Sequence, residues 1–270
     1  MSASPSLASS FTTVVTTLRA AGCVFAEDEA ELLLSTARTP DELDTMVGRR
    51  VAGLPLEHVV GWALFCGLRI AVDPGVFVPR PRTEFLVRQA TALAGPRPVV
   101  LDLCCGSGAV GAALATTLDR PELYAADIDP AAVRCARRNL AGTGGLVFEG
   151  DLYDPLPATL RGRVGILVAN APYVPTEAIG LLPPEARVHE ARVALDGGAD
   201  GLDVQRRVTA EAPRWLAPGG HLLVETSERQ APLTAAAFAR SGLVPQVIAC
   251  EDLDATVVVG TLPASADADA

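Results

Sequence analysis

The apolar positions of the chain fall into two rhythms. From residue 99 to residue 103 they run as Val-Val-Leu-Asp-Leu, with the length and β-branching of a buried parallel strand, and residues 109–118 follow with the spacing of a helix. The alternation then repeats: a strand over 122–127, a helix over 130–140 opened by proline, a strand over 146–149 and a fourth over 165–169. Further on, 202–216 reads as a helix, 218–220 as a Pro-Gly-Gly turn into a strand over 221–225, and 256–260 as a last strand. Strands alternating with helices predict an α/β fold with a parallel, doubly wound sheet. Upstream the rhythm changes. Val14, Leu18, Leu32, Leu33, Leu34, Leu43 and Val51 recur at intervals of three and four between residue 11 and about residue 58. With Thr39-Pro-Asp-Glu-Leu as a helix start, they predict a small bundle of short helices. Residues 62–72 alternate around Cys66-Gly67 like a hairpin. In Pro79-Arg-Pro-Arg-Thr-Glu84, Thr83 reads as a helix cap and Glu84 as a favourable first-turn acid, which leaves Pro79, Arg80 and Pro81 without a reason.

Composition narrows the class. At 270 residues and 49% hydrophobic, the chain can bury a large core in one or two domains. Its net charge is -10 and all 22 basic residues are arginine, so it lacks the basic surplus of a protein that grips phosphates, and no direct nucleic-acid binding is expected. Cys23, Cys66, Cys104, Cys105, Cys135 and Cys250 show neither C-x-x-C nor a histidine partner at metal spacing, which predicts reduced thiols and no metal site. The first residues lack a leader pattern and no apolar run reaches ~18 residues, so a cytoplasmic protein with no membrane partner is expected. Residues 264–270, Ala-Ser-Ala-Asp-Ala-Asp-Ala, read as a disordered tail.

The chemistry begins where the first strand breaks into Cys104-Cys105-Gly106-Ser107-Gly108. Gly106 and Gly108 let a ligand lie against bare backbone, and the helix that follows turns its N–H groups toward that space. Gly106-Ser-Gly108-Ala-Val-Gly111 fits G-x-G-x-x-G, and Asp127 sits at about the ~20-residue distance of a ribose-binding acid, so a dinucleotide has to be weighed. Asp102 argues against it. An acid at the end of that strand repels a pyrophosphate, whereas S-adenosylmethionine carries a cationic sulfonium and ammonium and no phosphate. Asp151, with Leu152 beside it, ends the third strand where a carboxylate or neighbouring backbone reaches an adenine edge; a cap or turn is the competing reading. The fourth strand empties into Asn170-Ala171-Pro172-Tyr173, beyond the strand ends where sheet order reverses. Asn and Pro also favour ordinary turns.

In order and spacing, Pro79-Arg-Pro-Arg-Thr-Glu84, 102–108, Ala126-Asp-Ile-Asp-Pro130, Asn170-Ala-Pro-Tyr173 and Ala194-Leu-Asp-Gly-Gly-Ala-Asp-Gly-Leu202 resemble the HemK-like protein-(glutamine-N5) methyltransferases, over about residues 54–263. The resemblance implies a class I methyltransferase fold, Rossmann-like, with a seven-stranded, mostly parallel sheet, S-adenosylmethionine as donor, and as acceptor a glutamine in a Gly-Gly-Gln loop of a translation release factor. It implies a helical bundle over 1–60 that docks this protein, a hairpin linker over 61–78 and a methyltransferase domain over 79–263. Cofactor contacts are then expected from Asp102, Cys104, Cys105, Gly106, Ser107, Gly108, Asp127, Asp151, Leu152 and Asn170. Three positions depart from the family: Ala171 where proline is usual, Cys104 where the turn usually begins with glycine, and Ser227 where glycine is more frequent. The expected mechanism is positional. The Asn170 side-chain oxygen and the Ala171 carbonyl accept the two amide hydrogens, Pro172 stiffens the loop and Tyr173 packs against the glutamine. The rivals are an adenine-N6 nucleic-acid methyltransferase, which also holds an exocyclic NH2, a ribosomal protein as acceptor, a dehydrogenase, and a module that binds the cofactor without catalysis.

Overall fold

The computed structural model describes residues 7–264. Four helices open the chain, α1 (Leu7–Ala20), α2 (Ala26–Thr36), α3 (Pro40–Val51) and α4 (Leu56–Val60), and pack around Val14, Leu18, Leu33, Met46 and Val59. Thr39 starts α3 as its sequence predicts, its hydroxyl accepting from the Glu42 N–H at 3.1 Å. Val51 is a correction. It lies on the exposed side of α3, and Met46 one turn earlier fills the bundle instead. The hairpin follows, β1 (Trp62–Phe65) paired antiparallel with β2 (Leu68–Ala71).

The rest of the chain is a sheet covered on both faces. Its elements are α5 (Glu84–Leu93), β3 (Val99–Leu103), α6 (Ala109–Thr117), β4 (Glu122–Asp127), α7 (Pro130–Leu140), β5 (Leu146–Glu149) and β6 (Val164–Ala169). These are followed by α8 (Pro184–His189), α9 (Asp203–Trp215), β7 (Leu216–Thr226), α10 (Ala231–Arg240), β8 (Val244–Cys250) and β9 (Ala255–Thr261). The sheet order is β5-β4-β3-β6-β7-β9-β8, parallel except that β9 runs against both neighbours. Alternation along each strand divides the core. Val100, Ile166 and Leu223 face α5, α6 and α7 with Leu86 and Leu114, while Leu101, Leu103, Leu167 and Leu222 face α9 and α10 with Val208, Trp215 and Phe238.

One sequence expectation changes here, and two elements went unread. The Pro218-Gly-Gly220 turn is absorbed into a continuous β7 at a register irregularity against β6, where the Gly219 N–H reaches the Leu262 carbonyl at 2.9 Å. The strand expected over 256–260 is β9, and the helix and strand before it, α10 and β8, carry no clear period. α10 buries mostly small residues (Ala231, Thr234, Ala237, with Phe238), and β8 is an edge strand with exposed Val244 and Val247 and a proline inside it. Residues 265–270 of the expected tail lie outside the described residues. Among the described residues no helix is long and apolar enough to cross a membrane.

Candidate active site

β3 lies between β4 and β6, so the chain leaves it at the point where strand order reverses, and the turn that follows is tightly left-handed. Cys104, Gly106 and Gly108 have φ of 54°, 53° and 77°. A Cβ on Gly108 would stand 3.1 Å from the Ala136 backbone, so only glycine lets α6 start against α7. Cys104 holds the same kind of conformation at the cost of strain, which is the physical reason glycine suits that place. Burial pushes the Cys104 and Cys105 thiols well up, so neither is a thiolate.

The expected cofactor residues divide into two groups. Cys104, Gly106, Asp127, Asp151, Leu152 and Asn170 line one cavity, to which the structure adds Phe77, Asp129 and Arg207. Asp102, Cys105, Ser107 and Gly108 do not line it. Asp102 sits behind that wall: at 2% exposure its carboxylate accepts the Gly111 N–H at 3.0 Å, tying β3 to the first turn of α6, and burial raises its pKa to about 7. Cys105 and Gly108 close the turn through backbone bonds, and the Ser107 carbonyl accepts from Asn139 at 2.8 Å. Asp127 lines the cavity at the end of β4. Its Oδ2 accepts the Gly106 N–H at 2.8 Å and its Oδ1 the Asp129 N–H at 2.9 Å, which leaves lone pairs for a ribose. Asp151 meets Arg207 at 2.7 Å. The wall thus carries the carboxylates of Asp127, Asp129 and Asp151 against the guanidinium of Arg207. That set suits a cation beside an adenosine and repels a pyrophosphate, so these residues fit S-adenosylmethionine.

Asn170, Ala171, Pro172 and Tyr173 are brought together at the end of β6, in the wall of a second cavity of about 590 Å³ that Arg80 and Arg82 also line. The two cavities share Phe77, Asn170, Pro172 and Ala194, so the Asn170 side chain stands in the partition between them. Thr83 does not cap a helix. The chain makes a short 3-10 turn over Pro81–Thr83 before α5, and the buried Thr83 hydroxyl instead accepts the Asn170 Nδ2 at 3.2 Å. Glu84 turns to the Cys66 N–H at 2.8 Å, fastening α5 to the hairpin. Arg80 pairs with the buried Glu190, and Arg82 approaches Glu225 at 3.5 Å. The Tyr173 hydroxyl donates to Glu225 at 3.2 Å, and burial together with that carboxylate pushes Tyr173 far above its usual pKa.

The loop is supported from below by residues 195–201, part of the last motif of the resemblance. The Val174 N–H donates to the Leu195 carbonyl at 3.1 Å and the Gly197 N–H to the Val174 carbonyl at 2.9 Å. A Cβ at Gly197 would fall 2.7 Å from the Pro172 oxygen, and one at Gly201 would strike the Tyr173 oxygen. Ser227 donates to Gln230 Oε1 at 2.6 Å, and this orients Gln230 Nε2 toward the carbonyls of Tyr173 (2.9 Å) and Asp200 (3.0 Å). Sequence reasoning missed Phe77, Arg207, Glu225 and Gln230 because each lies on a different element from the motif it serves.

Comparison with known proteins agrees with this geometry. A family model described as "Methyltransferase small domain" matches residues 67–199. A release factor glutamine methyltransferase from Geobacter sulfurreducens is 40% identical over 208 residues, 75% of this chain and 72% of that protein. A 4-amino-L-phenylalanine/4-methylamino-L-phenylalanine methyltransferase from Streptomyces pristinaespiralis is 36% identical over 265 residues, 89% of each. Among solved structures, a methyltransferase from Pyrococcus furiosus superposes with a TM-score of 0.57 at 18% identity, over 73% of this chain and 90% of that one. The fold is that of the class I methyltransferases.

Proposed function

The chain belongs to the HemK-like protein-(glutamine-N5) methyltransferases, and from that premise we propose that it methylates the side-chain amide nitrogen of a glutamine in a protein, the Gly-Gly-Gln loop of a release factor. One observation carries the reading: Asn170 stands in the partition between a cavity suited to an adenosine cation and a second, larger cavity. S-adenosylmethionine supplies an electrophilic methyl group when bound. Asp127 would hold its ribose and the backbone at Asp151 and Leu152 its adenine edge, with Cys104 and Gly106 lying against it.

The remaining work falls to the second wall. An amide nitrogen is a poor nucleophile because its lone pair is delocalised into the carbonyl, and Asn170 is no general base. The Asn170 Oδ1 and the Ala171 carbonyl accept the two amide hydrogens, which stabilises positive charge developing on nitrogen and turns its lone pair toward the partition. Tyr173, kept protonated by burial and Glu225, and Pro172 shape the slot. The N-terminal bundle serves as a docking surface for the acceptor protein.

A second reading, methylation of an aromatic amine on a free amino acid, is favoured by the relative that spans 89% of both chains and by Arg82 in the acceptor wall, where a free carboxylate would find a cation. Incubation with labelled S-adenosylmethionine and either a release factor or 4-aminophenylalanine, followed by mass spectrometry, separates the two. The label is expected on the release-factor glutamine. Asn170→Ala is expected to lower turnover by about a hundredfold with cofactor affinity nearly unchanged; undiminished turnover would overturn the role given to Asn170.

A further inference from the structure

Pro79, Arg80 and Pro81 end a stretch whose side chains alternate. Val76 and Val78 are buried with Ala63, Val72, Ala132 and Cys135, while Phe77 between them lines both cavities. The strap from Gly75 to Arg80 belongs to neither sheet, yet its backbone is pinned. The Gly75 carbonyl accepts the Ala191 N–H at 3.0 Å, the Val76 carbonyl accepts from His58 Nε2 at 2.8 Å, and Glu190 Oε1 accepts the Val78 N–H at 3.3 Å. The same Glu190 oxygen takes the Arg80 guanidinium at 2.5 Å, and the guanidinium carbon lies over the Phe77 ring, 5.0 Å from its centroid. The Glu190 side chain is fully buried, and its Oε2 has no partner among the described residues. A carboxylate buried with one oxygen unsatisfied costs stability, so holding the fold together is a poor reason to keep it.

We propose that Glu190 and Arg80 are positioning residues that act through Phe77. Four residues line both cavities, Phe77, Asn170, Pro172 and Ala194, and a methyl group passing from donor to acceptor crosses between them. Asn170 and Pro172 stand at the end of β6 and Ala194 in the 3-10 turn of residues 192–194, but Phe77 stands on a strap that no ladder fixes. Its ring has no hydrogen-bonding group, so only packing and the backbone that bears it set its place. Glu190 supplies both. One oxygen grips the strap at the Val78 N–H and holds Arg80, and Arg80 lies on the ring. Glu190 itself lines neither cavity. The prolines now have a reason as well. Arg80 is extended, with φ of −94° and ψ of 142°, the conformation that a following proline favours, so the guanidinium reaches Glu190 from a stiffened chain. Released from the pair, Phe77 would loosen the walls of both cavities together.

The inference rests on the reading that the first cavity takes the donor and the second the acceptor, and a double-mutant cycle tests it. Glu190→Gln keeps an oxygen for the Val78 N–H and removes the charge that holds Arg80. It is expected to raise the Kd for S-adenosylmethionine, measured by calorimetry, by about three- to tenfold and the KM for the release factor by a similar factor. Phe77→Ala is expected to raise both by more. Glu190→Gln added to Phe77→Ala is expected to change neither, because the side chain it acts through is gone. Additive effects would overturn the proposal, as would a Glu190→Gln protein that binds the cofactor like the wild type, whatever its melting temperature. Arg80→Gln changes the partly exposed end of the pair and carries the same test where Glu190→Gln does not fold. The same rise in Kd is expected, absent again in the Phe77→Ala background, and wild-type affinity in Arg80→Gln would overturn the assignment too. A wild-type protein that leaves release factor unmethylated sinks the substrate reading instead, while the cofactor arm of the cycle needs no acceptor and still decides the role of the pair.

Discussion

A carboxyl group at 2% exposure whose bonded partner is one backbone N–H is costly to ionise, and Asp102 accordingly titrates at about 7 where 3.8 is ordinary. Its folded pKa is raised, so between those two values the native state holds a proton that the unfolded chain has released. The Asp102 contribution to stability is therefore whole below 3.8, falls as pH rises through this window and is fully lost above about 7. Asp102→Asn keeps an acceptor for the Gly111 N–H without the charge. Melting curves of the cofactor-free proteins across this range are expected to show the variant gaining on the wild type until about pH 7 and then holding a constant lead; a gap that ignores pH would contradict the assignment. Composition and spacing identified Asp102 as special but not where its oxygens point. The same gap explains Thr83: a threonine before a helix has the pattern of a cap, and only packing against β6 shows it serving Asn170 instead.

Short elements position the chemistry more than long ones do. The loop from Asn170 to Val174 lacks the proline its family carries at 171, yet its backbone is pinned at Tyr173 by Gln230, at Val174 by two backbone bonds, and from beneath by the glycines at 197 and 201. Gln230→Ala removes two hydrogen bonds to carbonyls, an expected loss of about 2 kcal/mol. It is expected to reduce turnover with cofactor affinity intact, as equilibrium unfolding and initial rates would show; Ser227→Gly, which frees Gln230 to rotate, should reproduce part of the effect. The strands were legible in this chain wherever both faces are covered, because positions such as Val100, Leu101 and Leu103, or Ile166 to Ala169, are buried and apolar on both sides of the sheet. Where packing uses small residues, as in α10, or where a strand lies at the sheet edge, as in β8, burial leaves little periodic trace.

Across the whole molecule, one half-buried arginine joins the parts. Arg50 of α3 holds Glu29 of α2 at 2.6 Å, the Leu54 carbonyl at 3.1 Å and Glu185 of α8 at 2.5 Å, and Glu185 lines the acceptor cavity. Arg50→Met would strand the buried Glu29 and is expected to cost about 3 kcal/mol. It should also raise the KM for the acceptor while leaving cofactor affinity alone, which calorimetry and steady-state rates would distinguish; an unchanged KM would show that the bundle does not brace that wall. No local pattern foretold this link, since 135 positions separate Arg50 from Glu185. The acid wall of the first cavity reaches furthest. ATP, NAD and their kin present the same adenosine, but each trails negative charge. Asp127, Asp129 and Asp151 turn such visitors away while they are still in solvent, so the choice among look-alike adenosines is made at long range, before shape is compared.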